Sequence, residues 1–199
     1  MVLAKLYHKR IVWWMVFLTA LSPSIWITYR ALFDLLGADP AKEIVDFLGL
    51  WGLRFLLITL AVTTLRVWFD VRWLVSYRRL LGLFCFYYVV LHLLGTLTFL
   101  MGWRLDLLIK EVTERPYIIL GVVGFSMLLT LAITSTKGMQ RRLGRNWKRV
   151  HQLVYPASFF AVMHLVLLIR ASYWEAALYT VLLLILLGQR LTTKLNGVN

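Results

Sequence analysis

Residues Leu80–Leu100 read LLGLFCFYYVVLHLLGTLTFL. This run holds no Asp, Glu, Lys or Arg. At 1.5 Å per residue it covers about 30 Å, the thickness of a bilayer's hydrocarbon core. Its one histidine is His92, set in the apolar interior. Five further runs of similar character flank it: Ile11–Leu32, Phe47–Leu65, Tyr117–Thr134, Val150–Ile169 and Trp174–Gly188. Six spans of ~20 residues occupy ~120 of the positions available. The expected fold is therefore all-α, an integral membrane bundle of six transmembrane helices. It comprises a domain over residues 11–190, an N-terminal tail over 1–10 and a C-terminal tail over 191–199.

Composition supports this reading. Of 199 residues, 61% are hydrophobic and mean hydropathy is +0.77. Soluble domains sit nearer half apolar. Twenty-two Lys and Arg against nine Asp and Glu give a formal charge of +13. A disordered chain, a disulfide scaffold and an ordinary soluble enzyme are excluded, and a single Cys allows neither an internal disulfide nor a Cys-rich metal site. Short loops leave no room for a nucleotide-binding module, and no Gly-rich phosphate loop is present. The first run is too long for a signal-peptide core and lacks a clear small-residue cleavage site, so it reads as a retained helix.

The basic residues are sorted by position. The N-terminus, the loops Arg66–Arg79 and Lys137–Arg149, and the C-terminal segment from Arg190 onward carry three, four, six and two Lys/Arg, fifteen of the 22. Eight of the nine acids lie at the opposite ends of the spans, Asp70 being the exception. The positive-inside rule then places both termini of this multi-pass protein in the cytoplasm. So sorted, the charge is the flank of membrane helices rather than a nucleic-acid footprint. Pro116 suits the first turn of a fourth helix. Pro23 and Pro156 fall inside spans and predict kinks, with neighbours taking up the freed carbonyls. Trp13, Trp14, Trp51, Trp103, Trp147 and Trp174 fall near the predicted interfaces. No internal repeat is evident.

Chemistry concentrates in the histidines. His8 reads as a solvated tail residue. His92 and His164 lie inside the third and fifth spans, where an ionisable group is expensive and usually functional. Both stand ~18–21 Å from the cytoplasmic start of their helices. Two neutral imidazoles at one depth can clamp a haem iron in a bundle walled by Leu, Phe and Gly. His151 is 13 residues before His164, which leaves ~220° of phase on a straight helix; Pro156 lies between them and can change it. On the third span the positions matching His151 are Arg78 and Arg79. Arginine is a poor iron ligand but a good partner for a haem propionate or a flavin phosphate. An inner cofactor held by His151 is thus incompletely specified. Zinc is disfavoured because no acid or Cys shares the depth of His92 and His164, and Cys85 reads as an inert buried thiol. Arg30 and Arg54, near the outer ends of the first two spans, either snorkel or pair with an outer haem carboxylate.

The sequence also resembles a known family. The stretches are LGADPAKEI (Leu36–Ile44), RRLLGLFCFYYVVLH (Arg78–His92), ERPYIILG (Glu114–Gly121) and TSTKGMQRRLGRNWKRVHQLVY (Thr134–Tyr155), followed by His164. They resemble the MsrQ (YedZ) family, haem-binding membrane subunits of the periplasmic protein-methionine-sulfoxide reductase system. That family falls in the ferric-reductase-like transmembrane group, which also contains the membrane part of NADPH oxidases. Those relatives hold two b haems with four His. The resemblance carries His92, His151 and His164 over as ligands, whereas the fourth His is replaced near Arg78 and Arg79. It implies haem b, one or two, with FMN as a further family cofactor. It also implies electron relay from the quinone pool or a cytosolic flavin reductase to MsrP, a periplasmic molybdenum-containing methionine-sulfoxide reductase subunit. The chain itself has no Cys pair or molybdopterin domain for reducing the sulfoxide. The competing expectations are a ferric or quinone reductase on the same scaffold, and a non-haem transporter or assembly factor.

Overall fold

The structure is a computed structural model that describes residues 2–169 and 173–195, with side chains described from Arg10 to Thr192 outside that gap. The elements in chain order are α1 (Val2–Leu32), α2 (Pro40–Phe69), a 3₁₀ turn (Arg72–Tyr77), α3 (Arg78–Gly95), a π turn (Thr96–Leu100), α4 (Leu105–Glu114), α5 (Pro116–Ile133), α6 (Lys137–Leu143), α7 (Asn146–Val150), a 3₁₀ turn (His151–Leu153), α8 (Val154–Leu168) and α9 (Tyr173–Leu195). Six helical segments are long and apolar enough to cross a membrane: Arg10–Leu32, Pro40–Phe69, Arg72–Leu100, Pro116–Ile133, Asn146–Leu168 and Tyr173–Thr192. Their exposed large side chains include Ile25, Trp26, Val122, Val181 and Leu184. Apolar side chains facing outward suit lipid, not water. The predicted N-terminal tail continues the helix of α1 from Val2. Residues 196–199 of the predicted C-terminal tail lie outside the described residues.

The second span begins earlier than its hydropathy suggests. Asp39 caps α2 by accepting from the Lys42 backbone N–H at 3.0 Å, and Pro40 takes the first helical position. Glu43 sits in the first turn, where the positive end of the helix dipole favours an acid. Polar capping and apolar content thus mark different points, seven residues apart. Arg54 and Trp51, expected near the outer end, are ~10 Å deeper as a result. Trp51 packs on Phe55 and Tyr88 inside the bundle, so it does not belong to the interfacial belt. α2 ends where Asp70 adopts a left-handed conformation at φ 50°.

The two prolines act differently. α1 runs through Pro23, whose missing N–H leaves the Thr19 carbonyl to the Ser22 hydroxyl at 2.8 Å. The next rung of the ladder is opened by another helix. Tyr88 Oη of α3 accepts from the Ser24 backbone N–H at 3.1 Å and donates to the Ala20 carbonyl at 2.8 Å. Tyr88 is fully buried, so this insertion locks α1 to α3 while leaving no backbone group unpaired. Pro156, by contrast, falls in the first turn of α8. The irregularity expected there is taken up one step earlier, in the 3₁₀ turn His151–Leu153.

The bundle is organised around two hairpins. α2 packs along α3, and α5 packs along α8; α3 meets α5, and α9 lies against α2 and α8. Leu53, Leu56, Leu60, Phe84, Leu128, Ala157 and Leu183 form the shared core. α4 follows the π turn on the acidic side of the bundle, and α6 and α7 form the basic connection before α8.

Candidate functional site

The third and fifth spans bring His92 and His164 together. Their ring centroids are 6.3 Å apart and the planes are nearly perpendicular, at 83°. The prediction that they share one depth is therefore matched by their position. His92 Nδ1 lies 2.9 Å from the Val45 carbonyl oxygen, and His164 Nδ1 lies 2.6 Å from that of Tyr117. A carbonyl only accepts, so each Nδ1 carries the hydrogen and donates it. In a neutral imidazole the lone pair is then on Nε2, the tautomer that a metal needs. No hydrogen bond among the described residues reaches either Nε2.

Each ring lies flat against a glycine. A Cβ added at Gly49 would meet His92 Nδ1 at 2.8 Å and Cε1 at 3.0 Å. At Gly121 the distances to the same atoms of His164 are 2.9 and 3.1 Å. The two halves thus use one design, a carbonyl, a glycine one turn on, and a His 47 residues beyond the carbonyl. The sets Val45, Gly49, His92 and Tyr117, Gly121, His164 are offset by 72 residues throughout. Gly52 and Gly124 continue the match. A Cβ on either would lie 3.8 Å from a backbone oxygen of the paired helix, that of Cys85 or Ala157, and these too are 72 apart. The expectation of no internal repeat is therefore overturned. With hindsight the repeat can be seen in LGLWGLRFLL (Leu48–Leu57) against LGVVGFSMLL (Leu120–Leu129). Most other letters differ because the two hairpins need only apolar bulk elsewhere.

This pair fits a haem iron. With a metal–nitrogen bond of about 2 Å and roughly 1.1 Å from ring nitrogen to ring centre, two opposed imidazoles on one iron have centroids about 6 Å apart. Among the described residues no group of three or more His, Cys, Asp or Glu could hold a bare metal ion. Two nitrogens alone leave an iron's remaining positions empty, and a porphyrin supplies four in a plane.

The inner layer is not a second copy. His151 Nε2 is 3.3 Å from Thr134 Oγ1, and its ring lies against Trp147 with centroids 4.1 Å apart and planes tilted by 33°. Thr134 Oγ1 donates to the Thr130 carbonyl at 2.7 Å. The residue that the repeat sets opposite His151 is Arg79, which is exposed. Arg78 is the half-buried one and is in electrostatic range of His151. The 3₁₀ turn at His151–Leu153 adds ~20° per residue over α-geometry, moving the His151–His164 phase from ~220° to ~280°. That is closer to one face, though the two rings still serve separate layers.

Residues 48–163 match the family described as "Ferric reductase like transmembrane component", a range that holds His92 and His151 and ends one residue before His164. A protein of Xanthomonas oryzae pv. oryzae named "Protein-methionine-sulfoxide reductase heme-binding subunit MsrQ" is 45% identical over 172 residues, 86% of this chain and 79% of its own. One of the same name from Agrobacterium fabrum is 40% identical over 178 residues, 89% of this chain and 82% of its own. The chain belongs to the MsrQ family.

Two further arginines of this MsrQ-family chain are engaged by residues of the chain itself. Arg54 Nε donates to Tyr179 Oη of α9 at 2.8 Å, and its guanidinium lies 5.0 Å from the Trp51 ring centre. It borders a cleft of about 700 Å³ between α1 and α2, lined also by Pro23, Trp26 and Tyr29. Arg54 is thus not gathered with His92 and His164. Arg30 pairs with Glu43 at 2.5 Å and donates to the Leu35 carbonyl at 2.7 Å, which ties the end of α1 to the start of α2. The letters alone single out neither Gly49 and Gly121 nor the carbonyls of Val45 and Tyr117. The same holds for Tyr155 and Arg190, joined at 2.8 Å near Arg78.

Proposed function

We propose that this MsrQ-family chain is a haem b membrane electron-transfer subunit, in which His92 and His164 would hold one haem through its iron. The observation that carries the reading is the mirrored pair of imidazoles, each with Nδ1–H spent on a backbone carbonyl and with ring centroids 6.3 Å apart. A bound haem supplies a one-electron couple within the bilayer. The protein's own contribution is positional and electrostatic. The Val45 and Tyr117 carbonyls fix the tautomer and raise imidazole basicity. Gly49 and Gly121 let each ring lie against its neighbouring helix. The surrounding Leu, Phe and Val side chains keep water out and the dielectric low.

His151, with Arg78 beside it, is the proposed holder of an inner cofactor. Arg79 and Arg54 join the binding set only if a ligand draws them in, since one is exposed and the other is held by Tyr179. No residue is assigned to FMN. The domain comprises residues 11–190, with basic tails at 1–10 and 191–199. The proposed orientation puts the basic face and both termini in the cytoplasm of the inner membrane. Electrons enter on that side from quinone or a cytosolic flavin reductase. They leave from the His92–His164 side to MsrP, docked on the acidic loops and α4. The bilayer is the scaffold, and the sulfoxide is reduced by the partner.

The matched family description, with "Ferric reductase" in its name, favours a second reading in which ferric chelates are reduced directly. One experiment separates the two. The dithionite-reduced protein is mixed with purified MsrP or with a ferric chelate, and haem reoxidation is followed. The proposal expects fast reoxidation by MsrP and slow reoxidation by the chelate. A purified chain without a Soret band would end both readings.

A further inference from the structure

The basic face carries a charge problem that the chain does not solve for itself. Of the nine acids only Asp70 is on that side, and it pairs with Arg72 at 2.7 Å. Arg78 at the start of α3 and Arg190 near the end of α9 are half-buried, in electrostatic range of one another and of Tyr155 on α8. Arg190 Nη1 donates to Tyr155 Oη at 2.8 Å and Nη2 to the Leu60 carbonyl at 3.2 Å. Its Nε is buried with no hydrogen-bond partner. Among the described residues neither guanidinium forms an ion pair with a carboxylate. Neighbouring cations partly removed from water repel strongly and are retained at a net loss unless an anion joins them.

We infer that Arg78, Arg190 and Tyr155 form a binding site for an organic oxyanion, a phosphate or carboxylate group, at the basic end of the bundle. Guanidinium forks are matched to the paired oxygens of such groups, and a phenol hydroxyl adds a further hydrogen-bonding group. The oxyanion has two sources, the headgroup of an anionic phospholipid or the acidic group of a prosthetic group seated in the bundle. The inference stands on charge and geometry at this cluster and does not need His92 and His164 to bind haem.

Arg78 makes no side-chain hydrogen bond among the described residues, so Arg78→Gln chiefly removes charge. The test is thermal melting of the full chain in nanodiscs of phosphatidylcholine alone or with phosphatidylglycerol. With an anion bound, Arg78→Gln and the longer neutral Arg78→Met melt lower than wild type by about 4 °C, whereas Arg78→Lys stays close to wild type. A deficit found only with phosphatidylglycerol identifies the lipid headgroup. A deficit in both nanodiscs identifies a co-purifying acidic group, to be read by mass spectrometry of the denatured sample. If neutral variants melt as high as wild type or higher in both, relief of repulsion is the only effect and the inference is wrong. Equal deficits in all three variants, Lys included, would show a packing role and also overturn it. The Soret band of the same samples reports separately on His92 and His164.

Discussion

The glycines behind the two histidines give the sharpest test of the site. Gly49→Ala puts a Cβ 2.8 Å from His92 Nδ1, and Gly121→Ala puts one 2.9 Å from His164 Nδ1. Ordinary contact begins at 3.4 Å, so ring and helix must part by roughly 0.6 and 0.5 Å. Such a shift stretches the 2.9 Å bond from His92 to Val45 beyond hydrogen-bond range. Losing that bond costs about 1 kcal/mol and forced overpacking about 1–3 kcal/mol. A His free of iron can swing aside, so most of this burden falls on the haem-bound form. For Gly49→Ala the sum of about 2–4 kcal/mol corresponds to a haem affinity lowered about 30- to 1,000-fold, whereas for Gly121→Ala the shorter 2.6 Å bond survives the shift and overpacking alone gives about 5- to 150-fold. Loss of the Nδ1 hydrogen bond also lowers imidazole basicity, which moves the potential of any retained haem upward. The assay is haem titration of apoprotein in detergent, with the haem-to-protein ratio taken from the Soret band and potentials from redox titration. Gly188→Ala serves as control, because a Cβ there meets nothing within 4 Å. If both glycine variants bind haem within threefold of wild type, the ring-against-glycine argument fails, and with it the placement of the ligands.

Other outcomes follow from the same geometry. His92→Ala and His164→Ala each abolish the outer haem's Soret contribution, whereas His151→Ala leaves it in place; haem-to-protein ratios on the three variants decide. Tyr88→Phe leaves the Ser24 N–H and Ala20 carbonyl without the bridge that Pro23 requires, a loss of about 2 kcal/mol, visible in thermal melting with an unaltered haem spectrum. Glu43→Gln weakens the ties to Arg30 and to the Gly37 N–H at 2.7 Å, and limited proteolysis between residues 33 and 39 is expected to speed up severalfold. The Arg104 hydrogen bond holds the Asp106 carboxyl below its usual range. Its contribution to α4 is therefore intact above the ordinary Asp pKa and lost only as pH falls through the lowered one; hydrogen exchange of the α4 amides against pH reads this directly.

Much of this protein was legible in its letters because a bilayer imposes simple rules. A span needs length and apolar content, and both are local, so all six helices could be read one at a time. Charge sorting gave the two faces for the same reason. Helix ends were less legible, since α2 starts at a cap and a proline seven residues before its hydropathy rises. The shared depth of His92 and His164 followed from counting along two helices. Their paired rings, their tautomers and the glycines behind them did not, because a carbonyl has no letter and a glycine's use depends on what packs against it. Arg54 shows the opposite case: its charge suggested a cofactor partner, and Tyr179, 125 positions away, had already engaged it. The sequence by itself determined a six-span membrane bundle, its two charged faces and a pair of histidines at one level. Only the tertiary structure decided that two hairpins 72 residues apart repeat one design, and that the basic-end arginines converge without an acid, because both depend on contacts between helices that chain order does not record.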